Sequence, residues 1–408
     1  MRIAKIETVY LKDPEMERHR DLWVLLHTDD GLVGLGETQT LPSAVAEVIH
    51  ELFAPMLLGR NPIDIECIWA DLYQAIHFYG SSGAEMRALS AVDIALWDIL
   101  GQNCGQPIYN LLGGRCRERI RVYNSGLSYG VIRDHETSLR DPGALARDLL
   151  QQGYTALKIF PWDLVAPRSP GRLHSAREQS LGWGLTAGAP GGLGLVGQYI
   201  SRSDLERGLE PVRRIREAVG DKMDIAIEGH SRWNLPAAIQ IGRALEPYNV
   251  MWLEDVMPVD NVDDLVRLRQ EVRVPLCVSE RLFTRWGYRE VLEKGAAHVI
   301  DIDPGWCGGL TEAKKIAAMA DMYHLPITPH GCIGPVLNFA GAHLCASVPN
   351  VFILELVRAH VLGWYSELLT QNLVIREGHL EFPENPGLGT TLRPEVFTRP
   401  EAVMRVSQ

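Results

Sequence analysis

The stretch IAIEGHSRW, residues 225–233, joins a short apolar run to two chemically active side chains. Three apolar residues lead into Glu228, and His230 follows two positions later. Residues i and i+2 of a strand point to the same face of a sheet, so this carboxylate and this imidazole are expected side by side. The end of this strand is therefore a candidate site.

The sequence around this stretch, from about residue 120 onward, alternates short β-branched runs with amphipathic helical segments. The predicted strands are 120–125, 155–160, 223–227, 250–253, 275–279, 298–302, 325–328 and 351–354. The predicted helices between them are 143–152, 203–219, 235–246, 262–270, 286–294, 309–323 and 335–346. Such βαβα alternation predicts parallel strands, and its length of about 240 residues fits a closed barrel, with a doubly wound sheet as the alternative.

The first part of the chain follows a different pattern. RIAKIETVYL and LWVLLHTDDGLVGLGET alternate as strands do, and DDG is typical of a hairpin turn. Helical spacing follows in 43–58, 62–78 and 84–105. Strands followed by helices predict an α+β unit.

One connection is unusually long. Residues 161–202, rich in Gly and Pro, separate the second predicted barrel strand from its helix. A long loop after a barrel strand lies on the face that carries active sites, so we expect a lid there. GLGLVG within it matches a dinucleotide-binding pattern, but no strand precedes it, which favours the lid.

Composition excludes several classes of function. The chain has 408 residues, a net charge of −11 and no Lys/Arg-rich run, which argues against a nucleic-acid partner. No apolar stretch reaches the ~18 residues of a membrane span. Seven scattered cysteines without a CxxC motif favour reduced thiols, and we expect a cytoplasmic protein.

Ionisable residues follow six successive predicted strands, spaced by about one βα unit. They are Glu228, Glu254, Glu280, Asp303, His330 and Glu355. Any one of them has an ordinary alternative as a helix N-cap or a solvated loop residue. Six in register indicate one shared rim of the barrel.

The three glutamates would repel one another strongly without a cation. All-oxygen ligands favour a hard cation, so we predict Mg²⁺ held by Glu228, Glu254 and Glu280. Such an ion stabilises negative charge on a bound carboxylate. We expect Asp303 to orient His330 and to raise its basicity, with His230 on the other side of the mouth.

These motifs resemble the enolase superfamily, in its mandelate racemase-like branch of acid-sugar dehydratases. The resemblance covers nearly the whole chain in the family's order. The motifs that carry it are ALSAVDIALWDILGQNCGQPIYNLLGG (88–114), EGH (228–230), WLEDVMPVDN (252–261), SERLFTRW (279–286), DIDPGWCGGLTEAKKIAAMA (301–320), TPHGCIGP (328–335) and LEL (354–356).

The resemblance implies a modified (β/α)₇β barrel with an α+β capping domain built from both termini. On this chain we expect a cap of residues 1–119, with 365–408 packing on it, and a barrel of residues 120–364 that includes the lid.

The family's shared chemistry removes the proton α to a carboxylate. Carried over, Glu228, Glu254 and Glu280 match the metal ligands. Asp303 and His330 match the dyad that acts as base, and His230 matches the histidine that protonates the leaving hydroxyl in galactonate dehydratase-like members. Glu355 matches a residue that hydrogen-bonds the substrate carboxylate.

Two departures from the family pattern bear on the reaction. Glu228 stands where the family usually has Asp, one methylene shorter. Racemases of the branch carry Lys-x-Lys after the second strand, whereas this chain has Lys158 and then Phe160. The missing lysine favours one-base elimination. We expect Lys158, together with His19, Arg20 and Trp23 of the cap, to contact the substrate.

The expected function is a Mg²⁺-dependent sugar-acid dehydratase that gives a 2-keto-3-deoxy acid. The alternatives are an epimerase or cycloisomerase of the same superfamily, and a metal-dependent sugar-acid-binding protein without turnover. A binder needs no oriented Asp–His pair, which disfavours the last. We expect a homo-oligomer, because barrel helices often mediate assembly, and a small sugar acid as the only other partner.

Overall fold

The computed structural model describes residues 1–12, 21–163, 197–331 and 334–408. A four-stranded antiparallel sheet forms the first layer, in the order β16-β1-β2-β3. Its strands are β1 (Ile3–Leu11), β2 (Asp21–Thr28), β3 (Val33–Gln39) and, from the far end of the chain, β16 (Ala402–Ser407). The chain's last strand thus completes the sheet that its first strand begins.

Helices cover one face of this sheet. They are α1 (Pro42–Glu47), continued by a π-helical turn (Val48–Phe53) into α2 (Ala54–Leu57), then α3 (Ile65–His77), α4 (Ala84–Cys104) and α5 (Ile108–Leu111). α4 lies so close to β3 that a Cβ on Gly34 or Gly36 would stand 2.1 or 1.9 Å from a carbonyl oxygen of α4. Glycine is required at both positions, and the contact fixes α4 between the sheet and the barrel.

Parallel strands form the barrel. They are β4 (Arg119–Ser125), β7 (Ala156–Ile159), β8 (Asp224–Glu228), β9 (Trp252–Glu254), β10 (Leu276–Val278), β11 (Val299–Ile302), β12 (Ile327–Pro329) and β13 (Leu354–Leu356). Each pairs in parallel with the next from β4 to β12, and β13 pairs with β4. A bridge between Ile327 and Val351 closes the ring. The structure confirms the barrel and excludes the doubly wound sheet.

Helices between these strands surround the ring. They are α7 (Pro142–Gln151), α8 (Arg202–Val219), α9 (Leu235–Leu245), α10 (Val262–Glu271), α11 (Thr284–Glu293), α12 (Gly309–Met322) and α13 (Pro335–Ser347). Short 3₁₀ turns follow α8 (Gly220–Lys222) and α9 (Glu246–Tyr248). Before α7, the chain adds β5 (Ser128–Tyr129), β6 (Ile132–Arg133) and α6 (Asp134–Arg140), which the sequence pattern did not predict.

The segment after β13 contributes strands to both the barrel sheet and the cap sheet. It contains α14 (Arg358–Val361), α15 (Tyr365–Leu368), β14 (Val374–Arg376), β15 (His379–Glu381) and α16 (Pro394–Phe397). β15 pairs antiparallel with barrel strand β4, so this hairpin extends the barrel sheet, whereas β16 joins the cap. The predicted lid lies mostly outside the described residues. Among those that are described, no helix is both long and apolar enough to cross a membrane.

Candidate active site

Three glutamates lie at the carboxyl-terminal rim of the barrel on consecutive strands. Glu228 ends β8, Glu254 ends β9, and Glu280 follows β10 by two positions. Strand register places Glu228 directly beside Glu254. All three are buried, with at most 5% of their surface exposed. Parallel pairing of adjacent strands thus brings together the three carboxylates that the sequence singled out.

The Lys158 ammonium lies among these carboxylates. Its Nζ is 2.6 Å from Oε1 of Glu254 and 3.8 Å from Oε2 of Glu228. Burial and then the charge of Glu254 raise the pKa of Glu228 well above its usual range. Burial alone would also raise the pKa of Glu280, but the charges of Arg281, His330 and Lys158 outweigh it and lower that pKa to about 2. The rim is an acidic cluster that demands cations.

The cluster fits a hard divalent cation. Oε2 of Glu280 is buried without a hydrogen-bond partner among the described residues. A buried carboxylate oxygen is costly when unpaired, and Mg²⁺ prefers oxygen ligands of this type. Glu228, Glu254 and Glu280 therefore form a set of oxygen ligands that suits such a cation.

A second trio lies in the barrel interior. Ligand atoms of Glu254, Cys277 and Asp301 are within 4.8 Å of one another, a tighter group than the three rim glutamates. Burial, followed by the charge of Glu254, raises the pKa of the Cys277 thiol well above its usual range. A neutral thiol is a poor ligand for a hard cation, so the all-oxygen rim set suits Mg²⁺ better.

The structure brings Asp303 and His330 together. Nδ1 of His330 is 2.8 Å from Oδ2 of Asp303, whose other oxygen accepts from the Gly305 backbone at 2.7 Å. Burial lowers the pKa of His330, but the hydrogen bond to Asp303 and the charges of Glu355, Asp303 and Glu280 outweigh burial and raise the pKa to about 9. Asp303 therefore fixes the orientation of the His330 ring through Nδ1.

Glu355 is the last of the six rim residues that the sequence predicts. Its Oε1 is 2.7 Å from Nζ of Lys158, and its Oε2 accepts from the Gly331 backbone at 3.0 Å. The same Oε2 is 3.8 Å from Nε2 of His330. Arg358, an alternative partner for this carboxylate, instead pairs with Asp134 at 2.6 Å. Glu355 therefore faces the site.

The cap reaches this side of the rim through Arg87 of α4. Its guanidinium lies 4.2 Å from the centre of the Trp306 ring, and that ring lies 5.2 Å from the His330 imidazole. Neither Arg87 nor Trp306 was predicted from the sequence to lie at the site. Trp306 follows Asp303 by three positions, and this closeness to a predicted rim residue could have indicated that it lies near the site. Nothing in the sequence around Arg87 indicates a partner more than two hundred positions away.

His230 stands on the other side of the mouth, since β8 and β12 are the third and seventh strands of the ring. Its Nδ1 is 2.9 Å from Oδ2 of Asp163, a residue that the sequence analysis missed. Its ring stacks on Phe160 at 5.2 Å between centres. The missed signal was an aspartate three positions beyond the second-strand motif that ends at Phe160.

The four predicted substrate contacts differ in where they lie. Lys158 is central, as described above. Trp23 is fully buried, and its indole donates to Glu37 at 2.6 Å, so its ring has no exposed face to offer a substrate. Glu37 in turn accepts from the Leu337 backbone at 2.7 Å, which ties the cap to the start of α13. His19 and Arg20 lie outside the described residues.

A barrel with a two-ended α+β cap and acidic groups at successive strand ends defines an enolase-type protein. Residues 15–113 match the family of the mandelate racemase/muconate lactonizing enzyme N-terminal domain, and residues 142–396 match the enolase C-terminal domain-like family. The chain belongs to the enolase superfamily, as the sequence predicts.

Named relatives fall mainly among sugar-acid dehydratases. D-xylonate dehydratase of Haloferax volcanii is 33% identical over 91% of this chain and 83% of its own length. Arabinonate dehydratase of Saccharolobus solfataricus is 29% identical over 91% of this chain and 88% of its own length. Among relatives of similar identity is a D-galactarolactone cycloisomerase of Agrobacterium fabrum.

The fold also matches solved structures. A crystal structure of an enolase of the mandelate racemase subgroup from Agrobacterium tumefaciens is 41% identical, with a TM-score of 0.85. The superposition covers 100% of this chain and 99% of that one.

Proposed function

We propose that this protein is a Mg²⁺-dependent dehydratase of sugar acids, aldonates or aldarates, that yields 2-keto-3-deoxy acids. The observation that carries the proposal is the buried Asp303–His330 pair, which lies on the same rim as three buried glutamates. The names of the relatives support the substrate class.

His330 is the base of the first step. The neutral form of His330 is the one that acts: its Nδ1–H is directed at Asp303, and its Nε2 accepts the C2 proton of the substrate. The electrons of the broken C–H bond move into a C1–C2 double bond and leave an enediolate. The Asp303 carboxylate stabilises the imidazolium that forms.

The enediolate carries two negative charges, which are offset by the cations that the rim carboxylates hold. Lys158, held by Glu254 and Glu355, places an ammonium beside the position proposed for the substrate carboxylate. Glu228, Glu254 and Glu280 are the residues that would hold Mg²⁺, which would supply Lewis-acid stabilisation of the same charge.

His230 is the acid of the second step. The enediolate electrons form a C2–C3 double bond while the C3–O bond breaks, and His230 donates a proton so that the hydroxyl leaves as water. The resulting enol tautomerises to the 2-keto-3-deoxy acid. Opposed placement of the two histidines, on the third and seventh strands, suits one substrate held between them.

A second candidate is an epimerase or cycloisomerase, which shares the base and the metal but loses no water. One relative, the galactarolactone cycloisomerase, favours it. The second dyad, Asp163–His230, favours dehydration because departure of a hydroxyl needs an acid.

A panel of aldonates and aldarates separates the candidates. The purified protein is incubated with each acid and Mg²⁺, with and without EDTA, and 2-keto acid is measured with semicarbazide. Keto product that EDTA abolishes supports the proposal. Exchange of C2 hydrogen in D₂O without keto product supports the second candidate. If the complete panel gives neither keto product nor C2 exchange, both candidates are contradicted.

A further inference from the structure

Asp163 contacts Nδ1 of His230 through a carboxylate oxygen, as Asp303 contacts Nδ1 of His330. Both oxygens of the Asp163 carboxylate lie within 3.1 Å of Nδ1 of His230. Asp163 lies on the loop after β7 and His230 on the loop after β8, so the pair forms only when the barrel is folded. Two histidines on opposite strands thus each have a carboxylate behind Nδ1.

The His230 ring is held from three directions. Asp163 holds Nδ1, Phe160 covers one face at an angle of 16° between ring planes, and the His230 backbone N–H donates to Oε1 of Glu228 at 2.6 Å. The backbone takes a left-handed conformation there, with φ of 50°. Among the described residues nothing hydrogen-bonds Nε2, which is the nitrogen left for the substrate.

Arg232 fixes the carboxylate itself. Its Nη1 is 2.9 Å from Oδ1 of Asp163, and its side chain is 3% exposed. A buried guanidinium that pairs with a carboxylate limits the rotation of that carboxylate. Asp163 is therefore a fixed acceptor, and it selects the tautomer of His230 that carries hydrogen on Nδ1.

We infer that Asp163 is the positioning residue of the proton donor: it holds His230 so that Nε2 delivers a proton to the departing 3-hydroxyl. This inference rests on the proposed function. In the step, the C3–O bond breaks, the proton on Nε2 of His230 joins the leaving oxygen, and water departs. Throughout the step Asp163 keeps its contact with Nδ1 and so fixes the direction in which Nε2 of His230 points.

The two dyads give a matched pair of variants, Asp163→Asn and Asp303→Asn. The substrate is whichever of xylonate, arabinonate, gluconate and galactonate the panel shows to react fastest, together with its 3-deoxy-3-fluoro analogue. Fluoride leaves with the electrons of the C3–F bond and needs no proton, so its release reports proton abstraction at C2 alone. Dehydration, fluoride release and C2 deuteration of recovered substrate in D₂O are measured for each protein.

We expect Asp163→Asn to lose dehydration by roughly 10²-fold or more while it keeps fluoride release and C2 deuteration, because the first step is intact. Asp303→Asn should lose all three. Retained C2 deuteration also shows that the Asp163→Asn protein is folded.

Two results would overturn the inference: dehydration by Asp163→Asn at the wild-type rate, or an equal loss of all three activities, which indicates a merely structural role. A wild-type protein that exchanges C2 hydrogen and releases fluoride but never yields keto acid from the hydroxyl substrates would overturn the proposed function itself.

Discussion

The Nδ1 atom of His330 lies 2.8 Å from a carboxylate oxygen of Asp303, and both side chains are at least 95% buried. The two residues are supplied by neighbouring strands, β11 and β12, and the backbone N–H of His330 also bonds to Ile302 at 3.0 Å. The strand register therefore fixes the pair before any substrate binds.

His330→Asn should lower dehydration and C2 hydrogen exchange together, by roughly 10²–10⁴-fold, because both require the base. Keto acid formation and deuterium incorporation are measured on the same substrate. His379→Asn, a change in the exposed part of the C-terminal hairpin, is the control and should be neutral. Full exchange in the His330 variant would remove the base assignment.

Glu228→Gln should separate metal binding from stability. The raised pKa of Glu228 reflects burial and then repulsion by Glu254, so a neutral amide should leave the metal-free protein as stable as wild type or more so. Wild type should gain about 2.7 kcal/mol from Mg²⁺ at 100 times its dissociation constant, and the variant should gain much less.

Thermal unfolding of EDTA-treated protein, with and without added Mg²⁺, measures both effects. Glu290→Gln, a substitution of the same type at a position 57% exposed, should keep the full response to Mg²⁺. An unchanged Mg²⁺ response in Glu228→Gln would show that this carboxylate is not a ligand.

Lys158→Met should destabilise the metal-free protein by about 3–5 kcal/mol, because it leaves Glu254 and Glu355 buried without the cation that pairs them. Urea unfolding in EDTA measures the change. Lys294→Met breaks only exposed ion pairs and should cost at most about 1 kcal/mol. Equal effects of the two substitutions would contradict a central role for Lys158.

The barrel was predictable from the sequence because a repeated local pattern encodes it. Each predicted barrel strand lies within three residues of an observed one, since β-branched runs between amphipathic helices leave few alternatives. The rim residues followed from that periodicity. Parallel strands share one carboxyl-terminal edge, so spacing along the chain predicts neighbours in space.

The contacts that were missed connect segments with no common period. Asp163 meets His230 across two loops, Arg87 of the cap meets Trp306, and β15 pairs with β4 across more than 250 positions. No repeat or turn motif encodes such contacts, because they depend on how the cap and loops close over the barrel. For the same reason, the sequence did not predict that the C-terminal segment would pair with the barrel through β15 as well as with the cap through β16.

His343 makes the stability of the whole chain depend on pH. It lies in α13, fully buried, where Nδ1 accepts from the Tyr109 backbone at 3.3 Å and Nε2 donates to the Leu388 carbonyl at 3.0 Å. Burial, only partly opposed by the bond to Leu388, lowers the pKa of His343 to about 4. Protonation of Nδ1 would also replace the acceptor of the Tyr109 backbone N–H with a second N–H donor, so that hydrogen bond would be lost.

The sign follows from proton uptake. Below the ordinary histidine pKa of 6.5 the unfolded chain binds a proton at this position and the folded chain does not until about pH 4. The contribution of His343 is therefore fully present above pH 6.5 and is lost as pH falls toward 4, by about 2 kcal/mol at pH 5.

His343→Gln removes the titrating group. In urea unfolding at pH 7 and pH 5, the difference between wild type and this variant should shrink by that amount at pH 5. A difference that is the same at both pH values would show that His343 takes up a proton in the folded protein as readily as in the unfolded one.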